Sequence, residues 1–169
     1  MTTTIETGSV TERPAPKKKV LYVDMDNTLV DFQSGVDRLS PEIRDEYQDH
    51  LDHVPGIFAL MDPLPGALAA FRELAELFDT YILSTAPWEN PSAWTDKLLW
   101  VKKYIGGDED SPAYKRLILS HHKNLNRGDF IIDDREVHGV KEFKGEHIFF
   151  TQPSYEDWNV VMKYMRTLA

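Results

Sequence analysis

The sequence has 169 residues, of which 41% are hydrophobic and 11% aromatic, and it carries a formal net charge of -9. This length and composition predict one globular domain with a substantial core. The acidic balance argues against a nucleic-acid polymer or an anionic membrane as partner, although a local cationic patch can still bind a small phosphorylated substrate. The absence of cysteine excludes disulfides, thiolate nucleophiles and cysteine-ligated zinc.

The ends of the chain and its hydropathy favour a cytoplasmic protein. No apolar run approaches the length of a membrane span, and the first residues lack the order of a signal peptide. Residues 1–17 are rich in Thr, Pro and charge, which predicts a disordered tail. Residues 18–169 are expected to form the single domain. The sequence leaves the oligomeric state open, with a homodimer as one option.

The first predicted element is a strand over residues 19–24, where an apolar run ends in two carboxylates, Asp24 and Asp26. The segment at about 33–64 then interrupts the alternation of strands and helices. Within it, Ser40 and Pro41 are typical of a helix start, and the charged residues 42–52 are expected to be exposed. We interpret this segment as a small helical cap inserted after the first strand.

Downstream of the cap, helices and strands alternate. Helices are predicted over residues 65–78 and 94–105, with a last helix capped by Ser154. Strands are predicted over residues 80–84, 117–119, 130–132 and 147–150. This alternation predicts an α/β fold with a mostly parallel five-stranded sheet that is flanked by helices on both sides.

Three of the predicted strands end in polar residues that can carry chemistry. Asp24 and Asp26 follow the first strand, Ser84-Thr85 the second and Asp133-Asp134 the fourth. In a parallel sheet these strand ends lie on one edge, so the side chains should converge. Closely spaced carboxylates need a cation or a proton to offset their repulsion, and Mg²⁺ is the commonest such ion. An aspartate held in this way can attack phosphorus.

These motifs resemble those of the haloacid dehalogenase-like (HAD) hydrolase superfamily. The four superfamily motifs appear in order as DMDNT, ILST, the lysine of TDKLLWVKKY, and IIDDR. The longer words VDMDNTLVDF, PGIF, PLPGA, LSTAPW and WVKKYIG are similar to those of the 5′(3′)-deoxyribonucleotidases. The resemblance covers residues 19–150. It implies a Rossmann-like HAD fold with a cap and Mg²⁺-dependent dephosphorylation of nucleoside monophosphates through an aspartyl-phosphate.

The resemblance also implies catalytic roles for individual residues. Asp24 would be the nucleophile, and Asp26 would protonate the leaving oxygen and then activate water. Thr85 would hydrogen-bond a phosphate oxygen. Lys97 would neutralise the phosphoryl group and hold Asp24 anionic.

The implied magnesium ligands come from both acidic pairs. Asp24, the backbone carbonyl of Asp26, and Asp134 would bind the ion, while Asp133 would orient a metal-bound water. Asp133 and Asp134 can exchange these two roles, because the family is not uniform in this respect.

The implied substrate contacts extend beyond the phosphate. Besides Thr85 and Lys97 they are Phe32 against the base, Phe58 on the cap, Ala86 in the turn after the second strand, and Lys123, a second phosphate-side cation ten residues before Asp133. Ile57 departs from the aromatic residue of relatives. The pair His121-His122 lacks a third partner at ligand spacing, so loop or surface histidines are favoured over a metal site.

Other functions stay open. A HAD phosphatase for another small phosphate, such as a sugar phosphate, would use the same site. A polynucleotide 3′-phosphatase is disfavoured by the net negative charge. A non-catalytic phosphate-binding or regulatory module and a phosphoryl-accepting signalling domain are disfavoured by the intact motifs, since Asp26 is needed only for turnover.

Overall fold

The structure is a computed structural model, and it describes residues 17–169. The predicted tail lies outside the described residues, apart from Lys17. The strands are β1 (Val20–Val23), β2 (Val30–Asp31), β3 (Asp62–Pro63), β4 (Asp79–Ser84), β5 (Leu117–Leu119), β6 (Phe130–Asp133) and β7 (Glu146–Phe149). The α-helices are α1 (Phe32–Val36), α2 (Pro41–Glu46), α3 (Ala67–Leu77), α4 (Ser92–Tyr104) and α5 (Trp158–Leu168).

Five of the strands form one parallel sheet in the order β5-β4-β1-β6-β7. The predicted α/β fold with a five-stranded parallel sheet is therefore confirmed. Strand β1 lies in the centre, which explains why Leu21 and Val23 are inaccessible to solvent and why the strand is apolar throughout. The chain runs to β4 and β5 on one side of β1 and to β6 and β7 on the other. Ligands of open α/β sheets bind at the carboxyl ends of strands at such a point.

The two faces of the sheet are covered differently. Helices α3, α4 and α5 contribute buried residues to the same core as Leu21 and Val23. On the opposite face, Tyr22 and Ile131 pack with a short 3₁₀ helix, Val140–Glu142, and with Phe143. Helix α4 therefore packs on the same face of the sheet as α3 and α5. From this face, side chains of α4 can reach the carboxyl ends of the strands.

Residues 32–61 leave and rejoin the main body through an antiparallel ribbon of β2 and β3. They form α1, α2 and the 3₁₀ helices Leu51–His53 and Ile57–Ala59. The predicted start of α2 is confirmed, since the Ser40 hydroxyl accepts a hydrogen bond from the backbone N–H of Ile43. The division into one domain with a cap at residues 33–64 stays a prediction.

The predicted cap of the last helix is wrong. Helix α5 begins at Trp158, and its cap is Asp157, whose carboxylate accepts from the backbone N–H of Val160 at 2.9 Å. Ser154 lies in the preceding turn, which the Thr151 N–H closes by donating to the carbonyl of Tyr155. Among residues 17–169, no helix combines the length and apolarity that crossing a membrane requires.

Candidate active site

The acidic pairs converge at the carboxyl edge of the sheet because of strand register. Val23 of β1 lies opposite Ile132 of β6, and the N–H of Asp24 donates to the Ile132 carbonyl at 2.9 Å. Asp24 is therefore placed beside Asp133, the last residue of β6. Both carboxylates are almost inaccessible to solvent.

Lys123 neutralises this part of the site. Its Nζ lies 2.8 Å from Oδ1 of Asp24 and 2.5 Å from Oδ2 of Asp133, and the lysine is itself buried. Burial acts to lower the pKa of Lys123, but the two carboxylates outweigh it and hold that pKa above its usual value. Lys123 thus remains an ammonium and acts as a fixed cation for Asp24.

Lys97, from helix α4, neutralises the other member of the first acidic pair. Its Nζ lies 2.8 Å from each carboxylate oxygen of Asp26 and 3.1 Å from the hydroxyl of Ser84. It also lies 4.5 Å from the centroid of the Phe58 ring, which favours a cation through its π face. Lys97 was expected to hold Asp24 anionic; its direct contact is with Asp26, while Lys123 contacts Asp24.

The two neighbouring aspartates consequently have opposite electrostatics. Burial favours the neutral form of Asp24, but the charges of Lys123 and Lys97 outweigh burial and lower its pKa. For Asp26, burial and the negative charge of Asp24 outweigh Lys97 and raise the pKa. Asp24 is therefore held as an anion, whereas Asp26 is poised to carry a proton.

Three carboxylates offer a site for a hard cation. Asp24, Asp133 and Asp134 each present an oxygen, and these oxygens lie within 4.8 Å of one another. Burial and the charge of Asp24 raise the pKa of Asp133 to about 7 and that of Asp134 to about 6. Oδ1 of Asp134 is buried with no hydrogen-bond partner among the described residues. An all-oxygen donor set with uncompensated charge fits Mg²⁺.

A cavity of about 490 Å³ opens above these strand ends. Of the predicted substrate contacts, Phe32, Phe58 and Thr85 line it, and so does Asp26. The rings of Phe32 and Phe58 meet edge to face at 6.0 Å, and Phe58 belongs to the core. Ala86, also predicted as a substrate contact, is fully buried and is not part of the cavity wall.

The hydroxyl of Thr85 is already engaged in the structure. It donates to the backbone carbonyl of Ser120 at 2.8 Å. To donate to a phosphate oxygen, as the sequence predicts, it would have to rotate away from that carbonyl. Its position on the cavity wall is compatible with that rotation.

Sequence reasoning missed several residues of the cavity wall. Arg135 lines the cavity, and its place directly after the second acidic pair was an available signal. His121 and His138 also line it; His121 lies in a loop, as expected, but its place on the cavity wall was not predicted. The Nε2 atom of His121 is buried without a partner among residues 17–169. No local pattern marks these histidines, because strands from both sides of β1 bring them together.

The five-stranded parallel sheet and its flanking helices have a counterpart among solved structures. A solved structure of a haloacid dehalogenase-like hydrolase from Streptococcus pneumoniae matches this fold with a TM-score of 0.50 and 16% sequence identity. The match covers 88% of this chain and 98% of that chain. At this identity the likeness concerns the fold alone.

Comparison of the sequence with known proteins identifies the family to which the chain belongs. The family described as "5' nucleotidase, deoxy (Pyrimidine), cytosolic type C protein" matches residues 33–163. A protein of Vibrio phage KVP40, provisionally named a 5'(3')-deoxyribonucleotidase, is 55% identical over 148 residues, covering 88% of this chain and 85% of that protein. The human "5'(3')-deoxyribonucleotidase, cytosolic type" is 34% identical over 163 residues, covering 78% and 79%. The chain belongs to this family of phosphoric monoester hydrolases, as its motifs predict.

Proposed function

We propose that this protein is a Mg²⁺-dependent phosphomonoesterase that hydrolyses deoxyribonucleoside 5′- and 3′-monophosphates through an aspartyl-phosphate on Asp24. Family membership supports the reaction class. The observation that carries the mechanism is the separate pairing of two neighbouring aspartates, Asp24 with Lys123 and Asp26 with Lys97. With Asp24 held anionic by the lysines, burial and the charge of Asp24 raise the pKa of Asp26 despite Lys97, which supports different protonation behaviour for the two carboxyls.

Asp24 is suited to the nucleophilic step. An anionic carboxylate is required to attack phosphorus, and the lysines keep the pKa of Asp24 low despite its burial. In the first step an Asp24 oxygen bonds to phosphorus while the bond from phosphorus to the nucleoside oxygen breaks. Lys123 fixes the orientation of the attacking carboxylate through the 2.8 Å contact.

Asp26 is suited to proton transfer in both steps. It lies on the wall of the cavity, where a leaving oxygen would be, and burial together with the charge of Asp24 raises its pKa, so that it binds a proton more readily than Asp24 does. It would give its proton to the departing nucleoside oxygen. It would then take a proton from the water that attacks the phosphorus of the intermediate, which releases phosphate and restores the Asp24 carboxylate.

Magnesium would be held by the Asp24 carboxylate and the backbone carbonyl of Asp26. Its third protein ligand would be either Asp134 or Asp133. When bound, it would supply positive charge to the phosphoryl oxygens and to the crowded carboxylates. Without such charge, Asp133 and Asp134 repel Asp24, which is one cause of their raised pKa values.

The cavity supports a small phosphorylated substrate. Its volume of about 490 Å³ lies in the range of small-molecule sites. Phe32 presents a partly buried aromatic ring for a base, and Arg135 supplies a cation at the wall. Lys97 and Lys123 would act on the phosphate mainly through the two aspartates that they contact.

The test is phosphate release from deoxyribonucleoside and ribonucleoside 5′- and 3′-monophosphates and from sugar phosphates, with Mg²⁺ or EDTA. We expect release that favours deoxyribonucleotides, requires Mg²⁺ and disappears in Asp24→Asn. The exposed Asp49 provides the control, and Asp49→Asn should keep full activity. A preference for sugar phosphates would contradict the substrate, and release that survives in Asp24→Asn would contradict the nucleophile. No release from a protein that still binds Mg²⁺ would favour the non-catalytic alternative.

A further inference from the structure

A second group of metal-ligating side chains lies at the rim of the cavity, away from the strand ends. His50, Asp52 and His53 each present one ligand atom, and these atoms lie within 4.8 Å of one another. Glu89 lies outside that group of three but close to one of its members, since its Oε2 is 4.0 Å from Nε2 of His53. Oδ1 of Asp52 lies 3.9 Å from the same nitrogen.

The local backbone explains why the two imidazoles meet. Leu51–His53 is a 3₁₀ helix with His50 at its start, and the N–H of His53 donates to the carbonyl of His50 at 2.9 Å. Residues three apart eclipse each other in a 3₁₀ helix. The two rings accordingly stack face to face, with centroids 4.8 Å apart and planes inclined by 9°. One ring therefore has to rotate before nitrogens of both can bind the same ion.

A buried asparagine holds the two halves of the group together. Asn90 is 1% exposed, and its side-chain amide donates to the carbonyls of Asp52 and Val54 at 2.9 and 3.0 Å. Glu89 directly precedes Asn90, so that the same contact fixes its backbone relative to the histidine turn. The backbones carrying the ligands are therefore positioned in advance, while the exposed side chains of His50 and Glu89 can still adjust.

We propose that His50, Asp52, His53 and Glu89 form a site for a transition-metal ion of the Zn²⁺ type. Two imidazoles and two carboxylates suit Zn²⁺, whereas Mg²⁺ prefers an all-oxygen set. Ligand atoms about 2.1 Å from a tetrahedral ion lie about 3.4 Å apart. The two contacts of 3.9 and 4.0 Å to Nε2 of His53 would have to shorten by about half an ångström. The other separations in the group, which are up to 4.8 Å, would have to shorten by as much as about 1.4 Å. Rotation of the exposed His50 and Glu89 side chains can supply this movement.

The location gives the site a consequence for substrate entry. Asp52, His53 and Glu89 line the same cavity as Asp26 and Thr85. An ion bound by them would tie the 3₁₀ turn to the loop after β4 and fix the width of the entrance.

The test is calorimetric titration of the Mg²⁺-saturated protein with Zn²⁺. Excess Mg²⁺ competes with Zn²⁺ for the aspartate site, and the histidine variants then distinguish binding at the rim from binding at the aspartates. We expect His50→Ala and His53→Ala to weaken Zn²⁺ binding by at least about tenfold. The matched control is His122→Ala, an exposed histidine outside the group, which should bind like the wild type. Because His50 is also exposed, its loss should leave the melting temperature in Mg²⁺ unchanged.

Electron paramagnetic resonance of bound Cu²⁺ identifies the ligands directly. We expect nitrogen hyperfine coupling in the wild type and in His122→Ala, and its loss in the double variant His50→Ala/His53→Ala. Equal Zn²⁺ affinity in the wild type and the double variant would place the ion on the aspartates and overturn the proposal. Failure of the Mg²⁺-saturated wild type to bind Zn²⁺ would overturn it as well.

Discussion

Replacing Lys123 by methionine should destabilise the metal-free protein more than the same change at Lys97. Methionine keeps most of the side-chain volume and removes only the ammonium. At Lys123 this leaves two carboxylates, Asp24 and Asp133, whose side chains are 3% and 2% exposed. At Lys97 it leaves one, Asp26, whose side chain is 13% exposed and faces the cavity.

The structure sets the size of the effect. Removing one partner of a buried ion pair costs about 3–5 kcal/mol, because a charge stays buried without compensation. Lys123→Met should cost an amount in the upper part of that range, since it leaves two buried carboxylates without a cation. Lys97→Met should cost about 3 kcal/mol or less, because water in the cavity can hydrate Asp26. Against a typical total stability of about 5–15 kcal/mol, the difference is large enough to measure.

The assay is urea unfolding of both variants at pH 8, in EDTA and in Mg²⁺. Magnesium should recover much of the loss in Lys123→Met, because a cation among Asp24, Asp133 and Asp134 replaces the missing positive charge. It should recover less in Lys97→Met, since Asp26 lies outside that group of oxygens. Equal losses in EDTA, or a gap between the variants that Mg²⁺ leaves unchanged, would refute the reasoning.

Three further outcomes are expected. Asp24→Asn should abolish phosphate release while the protein stays folded, as measured by a phosphate assay beside circular dichroism. The pKa values of about 7 for Asp133 and about 6 for Asp134 lie above the ordinary 3.8, so both groups favour the metal-free fold at low pH and disfavour it as the pH rises to about 7. Because Mg²⁺ must displace those protons, the rise in melting temperature on adding Mg²⁺ should be large at pH 8 and small at pH 5. An equal rise at both pH values would contradict this. Asp157→Ala should cost about 1 kcal/mol through loss of the α5 cap, whereas Ser154→Ala should be neutral in urea unfolding.

Much of the fold could be predicted from local sequence signals. Strand β1 is buried because it lies in the centre of the sheet, and its uninterrupted apolar run therefore predicts a buried strand. Strand β5 was predicted with its correct bounds, and Ser40 was predicted as a cap. The prediction of the capping residue of α5 was wrong because Ser154 and Asp157 are both good caps by residue type. Only the turn over 151–155, closed by a backbone hydrogen bond, decides between them.

The pairing of charges within the site could not be predicted in this way. Lys97 and Lys123 both lie within reach of the acidic cluster, and nothing in the sequence says which lysine meets which aspartate. Spacing to Asp133 suggests that Lys123 belongs to the site, but its contact with Asp24 spans 99 residues. Likewise, the spacing of His50 and His53 indicates a metal site only once the structure shows the 3₁₀ turn and the nearby Glu89.

The strand order itself explains how two aspartates so close in sequence acquire different chemistry. β1 has β6 on one side and β4 on the other, so residues leaving its carboxyl end can turn toward either neighbour. Asp24 continues the ladder with β6 and meets Lys123, which lies on the connection into β6. Asp26 meets Lys97, on the helix that follows β4. Each carboxyl is thus matched with a lysine from a different half of the sheet. The lysines lower the pKa of Asp24, whereas burial and the charge of Asp24 raise the pKa of Asp26 despite Lys97, so the two carboxyls differ in their tendency to bind a proton.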